Sequence, residues 1–237
     1  MQTLPLRRIL PEDPPESFPD PARALREPDG LLAVGGDLSP ERLLYAYRHG
    51  IFPWYDAGLP ILWWSPDPRA VFLPESLHVS RSLRRRMGRG GYVLRFDTAF
   101  AEVMEACAGP RPQHPEGGTW INADMKAAYA ELHRLGHAHS TELWVDRILI
   151  GGLYGVAVGR VFFGESMFSH ATDASKIVLV TLMDCLERWG YAFMDCQVQS
   201  EHLERMGSVP VPRVDFLEML ATLCQGTVSG DAWRPEP

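Results

Sequence analysis

Two short stretches carry the side chains best able to do chemistry. In Asp195-Cys196-Gln197 an apolar run, 191–194, leads into a carboxylate and an amide two residues apart. If that run is a strand, alternation puts Asp195 and Gln197 on one face and Cys196 on the other. Such a pair either satisfies backbone groups at a strand end, the usual service of buried polar residues, or holds a reacting group. Glu165 is a lone carboxylate among the apolar residues of 162–168. Burying it alone would cost several kcal/mol, so it has a partner or waits for a cationic ligand.

Two further clusters suit a nucleic acid. Tyr45, Tyr47, Phe52, Trp54, Tyr55, Trp63 and Trp64 crowd one segment, where they either pack a core or stack on bases. Arg81, Arg84, Arg85, Arg86 and Arg89 fall within nine residues of a chain whose net charge is -7, and guanidinium at that density suits phosphate. On a helix begun by Ser80, Arg81, Arg85 and Arg89 share a face at i, i+4 and i+8. The acidic balance excludes a general nucleic-acid binder, so any RNA contact is local.

Other chemistries fit less well. His133, His137 and His139 lie close together, but Gly136 ends the helix between them, so the face a zinc site needs does not persist. Gly164-Glu165-Ser166-Met167-Phe168 lacks the second glycine of a nucleophile elbow and sits in a hairpin strand. Cys107, Cys185, Cys196 and Cys224 form no C-x-x-C pair, which fits a reducing compartment. The longest apolar stretch, 148–159, is too short to span a bilayer, and the N-terminus lacks a signal-peptide pattern. A cytoplasmic protein is expected.

The elements that must position these residues follow from periodicity. Residues 1–67 read as a small loop-rich domain around one helix, with Ser39 as N-cap, Pro40 at its first position and Gly50 at its end. Residues 68–237 read as an α/β (α+β) domain. Asp97 is expected to cap a helix carrying Phe100, Val103, Met104 and Cys107, and a second helix carries Met125, Tyr129 and Leu132. Three antiparallel strands follow over 138–168. Asp173 is expected to cap a long helix ending at Gly190, then come a strand over 191–198 and short helices from Ser200.

That order resembles the GCN5-related acetyltransferases, whose splayed strands admit an acyl donor. Their pyrophosphate-binding turn at a helix N-terminus is absent; the nearest stretch, 86–90, has the wrong spacing. A more specific resemblance runs from Phe18 to about Phe216. It is carried by Gly35-Gly36-Asp37-Leu38-Ser39, Gly50-Ile51-Phe52-Pro53-Trp54, Trp63-Trp64-Ser65-Pro66-Asp67-Pro68-Arg69, Thr119-Trp120-Ile121, Gly152-Leu153-Tyr154-Gly155, Gly164-Glu165-Ser166-Met167-Phe168-Ser169 and Asp195-Cys196-Gln197. In these the chain resembles the leucyl/phenylalanyl-tRNA–protein transferases.

The resemblance implies a small N-terminal domain on an acetyltransferase-like domain. It implies transfer of Leu or Phe, with Met a further donor, from aminoacyl-tRNA to the α-amine of proteins beginning with Arg or Lys, whose products enter N-end degradation. It carries the catalytic pair onto Asp195 and Gln197 and puts Glu165 in the same site. Trp54 and Trp120 become walls for the terminal adenosine and aminoacyl group, with Tyr47 and Tyr129 nearby. Leu153 replaces an expected Met and keeps the donor pocket apolar; Ser200 stands where an Asn is familiar. No metal or cofactor is implied, and a monomer is expected. The alternatives are an acyl-CoA N-acyltransferase on the same architecture and a non-catalytic module that binds aminoacyl-tRNA or protein N-termini.

Overall fold

The computed structural model describes residues 6–109 and 119–234. Strands β1 (Arg7–Ile9), β2 (Leu31–Gly35), β3 (Phe52–Pro53) and β4 (Leu62–Trp64) form a sheet in the order β1-β2-β4-β3. Helix α1 (Pro40–Arg48) begins after Ser39 with proline at its first position and buries Leu43, Ala46 and Tyr47. Most of the N-terminal aromatics are core, as burial of their large area favours: Tyr47, Phe52, Tyr55 and Trp63 are buried. Tyr45 and Trp64 are half-buried, and Trp54 is 45% exposed.

A seven-stranded sheet makes the rest: β5 (Arg69–Phe72), β6 (Val93–Phe96), β7 (Ala138–Val145), β8 (Ile148–Val158), β9 (Val161–Ser169), β10 (Phe193–Asp195) and β11 (Val209–Val211), ordered β11-β5-β10-β9-β8-β7-β6. The three expected antiparallel strands are β7, β8 and β9. The helices are α2 (Arg81–Arg89), α3 (Phe100–Ala108), α4 (Ala123–Arg134), α5 (Ala174–Trp189), α6 (Glu201–Met206) and α7 (Arg213–Leu223). Alternation along β8 sends Leu153 to one face and Tyr154 to the other. Tyr154 joins a core built with α1, α3, α4 and the four-stranded sheet, whereas Leu153 joins one built with α2 and α5.

Three expectations are corrected. Asp97 does not cap α3: its backbone is left-handed, and its carboxylate instead accepts from the Ser140 amide and meets His139 at 2.7 Å. The start of α3 is held from the sheet by Glu142, which accepts from the Thr98 and Ala99 amides. Asp173 occupies the N-cap position of α5 in a left-handed conformation and makes no side-chain cap bond; it pairs with Lys176 at 2.9 Å. The strand expected over 191–198 is only β10, and beyond its end Gln197 takes φ +58°. The histidines are occupied: His133 bonds the Ala138 carbonyl oxygen and stacks on Phe100, while His139 stacks on Trp233.

A bulge marks the middle of the sheet. Tyr154 pairs with Ser166 and Gly155 with Gly164, so Glu165 is an extra residue on β9 with no partner on β8. Bulges of this kind bend a strand and re-aim a side chain. A Cβ on Gly155 would lie 2.2 Å from the Phe163 carbonyl oxygen and 2.6 Å from the Phe162 ring. Gly155→Ala is therefore expected to lower stability by about 1–3 kcal/mol through overpacking. That is a Tm loss of roughly 2–12 °C in a chain of this size, readable by calorimetry.

Candidate active site

β9 and β10 run parallel only as far as Phe163 opposite Asp195. From Gly164 onward β9 has no partner on that side among the described residues, while the chain after Asp195 turns away to bond β5 through the Cys196 amide to the Ala70 carbonyl oxygen. The gap between the two is the site. One pocket of about 150 Å³ opens on the side of Phe52, Trp54 and Trp120. A second of about 130 Å³ is lined by Leu153, Met167, Leu179, Met194 and Leu203. Glu165, Cys196 and Gln197 line both. A larger groove of about 700 Å³ runs between the β1–β2 edge and α4, but its apolar lining carries only Arg8 and Asp124 as charged groups.

Asp195 is wholly buried and held by Arg69, itself 1% exposed. Arg69 Nε donates to Oδ1 and Nη2 to Oδ2, both at 2.8 Å, and Nη1 donates to the Gly50 carbonyl oxygen at 2.9 Å. The guanidinium lies between the Phe52 and Phe216 rings, 4.8 Å from each centroid. This fork geometry is the one arginine provides and lysine does not. Asp195 Oδ1 also accepts the Gln197 backbone N–H at 3.1 Å. Asp195 therefore meets Gln197 through the backbone of a left-handed residue rather than through a shared strand face.

Gln197 Nε2 in turn donates to Glu165 Oε1 at 3.1 Å. A carboxylate only accepts, so this bond commits the amide nitrogen and leaves the amide oxygen as the end available to a ligand. Glu165 has the partners its surroundings demanded: Tyr47 Oη donates to Oε1 at 2.8 Å and Tyr129 Oη to Oε2 at 3.0 Å, and the two hydroxyls also contact each other. Burial pushes the Glu165 carboxyl up to about 7; the tyrosine hydrogen bonds and Arg69 oppose the rise, and Asp195 adds to it. Burial likewise drives both tyrosine hydroxyls well above their usual range. The Cys196 thiol is also raised by burial and then by Asp195, which makes it a poor nucleophile at neutral pH.

The structure thus gathers Asp195, Gln197, Glu165, Tyr47, Tyr129, Trp54, Trp120 and Leu153 around one gap. Ser200 is elsewhere engaged: it N-caps α6, its hydroxyl accepting the Leu203 amide at 3.3 Å. Arg81, Arg84, Arg85, Arg86 and Arg89 lie outside both pockets on α2, all exposed. Their helix packs Leu83 into the same core layer as Leu153 and Leu179. Arg69 is the residue that sequence reasoning left without a role. Its signal was an arginine opening the apolar run Arg69-Ala70-Val71-Phe72, which demands a buried carboxylate.

A family model described as leucyl/phenylalanyl-tRNA protein transferase matches residues 71–221, and a second, for the N-terminal domain of the same enzymes, matches residues 36–67. The chain belongs to this family. A leucyl/phenylalanyl-tRNA–protein transferase of Stutzerimonas stutzeri strain A1501 is 58% identical over 218 residues, covering 92% of this chain and 95% of the relative. One from Methylococcus capsulatus strain Bath is 51% identical over 232 residues, 98% of each chain. Among solved structures, a GCN5-related N-acetyltransferase from Kribbella flavida superposes with a TM-score of 0.37 at 12% identity, over 73% of this chain and 61% of its own.

The Arg69–Asp195 pair sets a stability prediction. Removing one partner leaves an uncompensated buried charge, costing about 3–5 kcal/mol, whereas replacing both by apolar groups is often near neutral. Arg69→Met should lower Tm by roughly 6–20 °C. Arg69→Met/Asp195→Leu should recover most of that loss, read by thermal denaturation, without recovering activity.

Proposed function

We propose that the chain transfers Leu or Phe, with Met as a further donor, from aminoacyl-tRNA to the N-terminal α-amine of proteins beginning with Arg or Lys, marking them for N-end degradation. Residues 1–67 act as a small N-terminal domain that supplies Tyr47 and Trp54 to a catalytic domain, 68–237. The observation that carries the reading is the pair of pockets meeting at Glu165 and Gln197, one walled by tryptophans and one apolar. An aminoacyl-adenosine end has matching halves: its base and ribose suit Trp54 and Trp120, and a Leu or Phe side chain suits Leu153 and its neighbours.

The ester of a charged tRNA is already activated, so the site needs no covalent nucleophile. It needs a neutral amine held beside the carbonyl in attacking geometry. Gln197 is the catalytic residue for that step: its amide oxygen accepts a hydrogen bond from the incoming amine and orients the lone pair. Asp195 and Arg69 are positioning residues that hold Gln197. The Glu165 charge favours an α-ammonium or a basic first side chain. The raised Cys196 thiol weighs against a thioester route.

On this reading the acidic protein holds tRNA through α2. Phosphate contacts carry no base information, so binding is largely indifferent to tRNA body sequence. The decisive assay is transfer of radiolabelled leucine from charged tRNA to an Arg-initiated protein, with RNase and acyl-CoA arms. Activity that ignores RNase and needs acyl-CoA would favour an acyl-CoA acyltransferase, and binding without labelling a recognition module. Gln197→Ala should lower turnover about 10- to 1000-fold, while Cys196→Ser stays mild. Arg81→Ala/Arg85→Ala should raise the KM for charged tRNA and flatten its log–log salt dependence by about 0.7–0.9 per lost contact, leaving a minimal aminoacyl-adenosine donor near wild type. Equal damage with the minimal donor would remove the phosphate role.

A further inference from the structure

The site holds a ring of three oxygen-bearing groups whose hydrogens can be counted. Tyr47 Oη meets Glu165 Oε1, Tyr129 Oη meets Glu165 Oε2, and Tyr47 Oη meets Tyr129 Oη. Three contacts need three hydrogens. With Glu165 ionised, only the two hydroxyl hydrogens are present; both point at the carboxylate, and the tyrosine–tyrosine contact has none. One added proton completes the set: Glu165 donates to one tyrosine, that tyrosine turns its hydroxyl to the other, and the second still donates to the carboxyl group.

We propose that this Glu165–Tyr129–Tyr47 ring is the proton acceptor of the transfer reaction, taking a proton from the acceptor's α-ammonium and closing as it does so. The inference rests on the function proposed above and assigns a step which that reading leaves open. A protein N-terminus arrives largely as an ammonium, which has no lone pair with which to attack. Glu165 lines both pockets and so reaches the amine that Gln197 orients. The ammonium N–H bond breaks and its proton passes to Glu165. The freed nitrogen lone pair forms the bond to the ester carbon, and the carbon–ribose oxygen bond breaks. The second proton lost by nitrogen goes to the leaving ribose oxygen. Ammonium and ester thus become amide, free 3′-hydroxyl and one proton, held by the ring until product leaves and water removes it.

The surroundings suit a base that works near neutrality. Facing Glu165 are Tyr47 from α1, Tyr129 from α4, Gln197 and Cys196 from the turn after β10, Asp195 on β10 and Arg69 on β5, with Tyr154 of β8 behind the two tyrosines. Asp195 and Arg69 are paired with each other at 2.8 Å. Both tyrosines stay protonated, since burial raises them well above their usual range; they act only by turning their hydroxyls. Glu165, raised to about 7, is a competent base above that pH and is lost as one when pH falls through it. A catalytic group matched to working pH is the efficient arrangement for proton transfer.

The test measures kcat and acceptor KM from acid to mildly alkaline pH, with saturating leucyl-adenosine as donor and an Arg-initiated peptide as acceptor. In parallel, the infrared carboxyl band of ¹³C-glutamate-labelled protein is titrated without substrates. Wild type is expected to lose kcat as pH falls through about 7 and to show one titrating band with that midpoint, missing in Glu165→Gln. Glu165→Gln should lose the acid limb and about 10²–10⁴-fold in kcat. Tyr47→Phe and Tyr129→Phe should each lower kcat about tenfold, the lower end of an acid–base contribution being some 10²-fold, and shift the infrared midpoint. A Glu165→Gln protein that keeps kcat within about twofold and the wild-type acid limb, changing only acceptor KM, would overturn the proposal and leave cation recognition as the role of Glu165. Wild-type protein that titrates as stated yet transfers nothing would overturn the transfer reading itself, a distinguishable failure.

Discussion

Asp195 carries a charge where water does not reach, and everything at the site follows from how that charge is met. Arg69 meets it with both arms of its fork and reaches on to Gly50, ahead of β3, so one guanidinium joins β5, β10 and the segment that presents Phe52 and Trp54. The remaining capacity of Asp195 goes to the Gln197 amide. A left-handed residue is costly outside glycine, and this bond, with the one from the Ala70 amide to the Gln197 carbonyl oxygen, ties Gln197 in that conformation. The buried pair is thus weak evidence for stability in itself but strong evidence for specification: it fixes one geometry at the point where β10 stops.

Glu165 completes the arrangement from the opposite strand. The bulge on β9 frees it from pairing with β8, and it meets Gln197 across the gap. Tyr47 and Tyr129 then tie that carboxylate to α1 and α4, two of the helices packed on this face of the sheet. A splayed pair of strands, an ion pair beneath one and a bulge in the other produce a gap floored by polar atoms and walled by aromatic and aliphatic side chains. Acyl transfer from an activated ester needs little more, because positioning and proton traffic supply the rate.

The sequence made the elements legible where one face is buried with a clear period. Met125, Tyr129 and Leu132 mark α4, and the glycine and Asp-Arg turns mark β7 to β9. It misled where side chains reach across the fold: Asp97 read as a helix cap, but the cap of α3 came from Glu142 on β7. Glu165 reads as a carboxylate that has a partner or waits for a cationic ligand, yet nothing local says that two tyrosines 118 and 36 residues away bond it. Arg69 shows the same limit, since its partner lies 126 residues on. Alternation puts Asp195 and Gln197 together for the wrong reason, because β10 ends at Asp195 and Gln197 itself takes a positive φ.

On the proposed function, the gap beside Gln197 and Glu165 is where the donor's acyl carbon sits. The most direct measurement is a crystal structure with a non-hydrolysable aminoacyl-adenosine, in which an amide replaces the ester. Its adenine is expected against Trp54 and Trp120, its Leu or Phe side chain in the pocket of Leu153, Met167 and Leu179, and its carbonyl beside the Gln197 amide. Analogue bound elsewhere, or with its carbonyl turned away from Gln197 and Glu165, would contradict it.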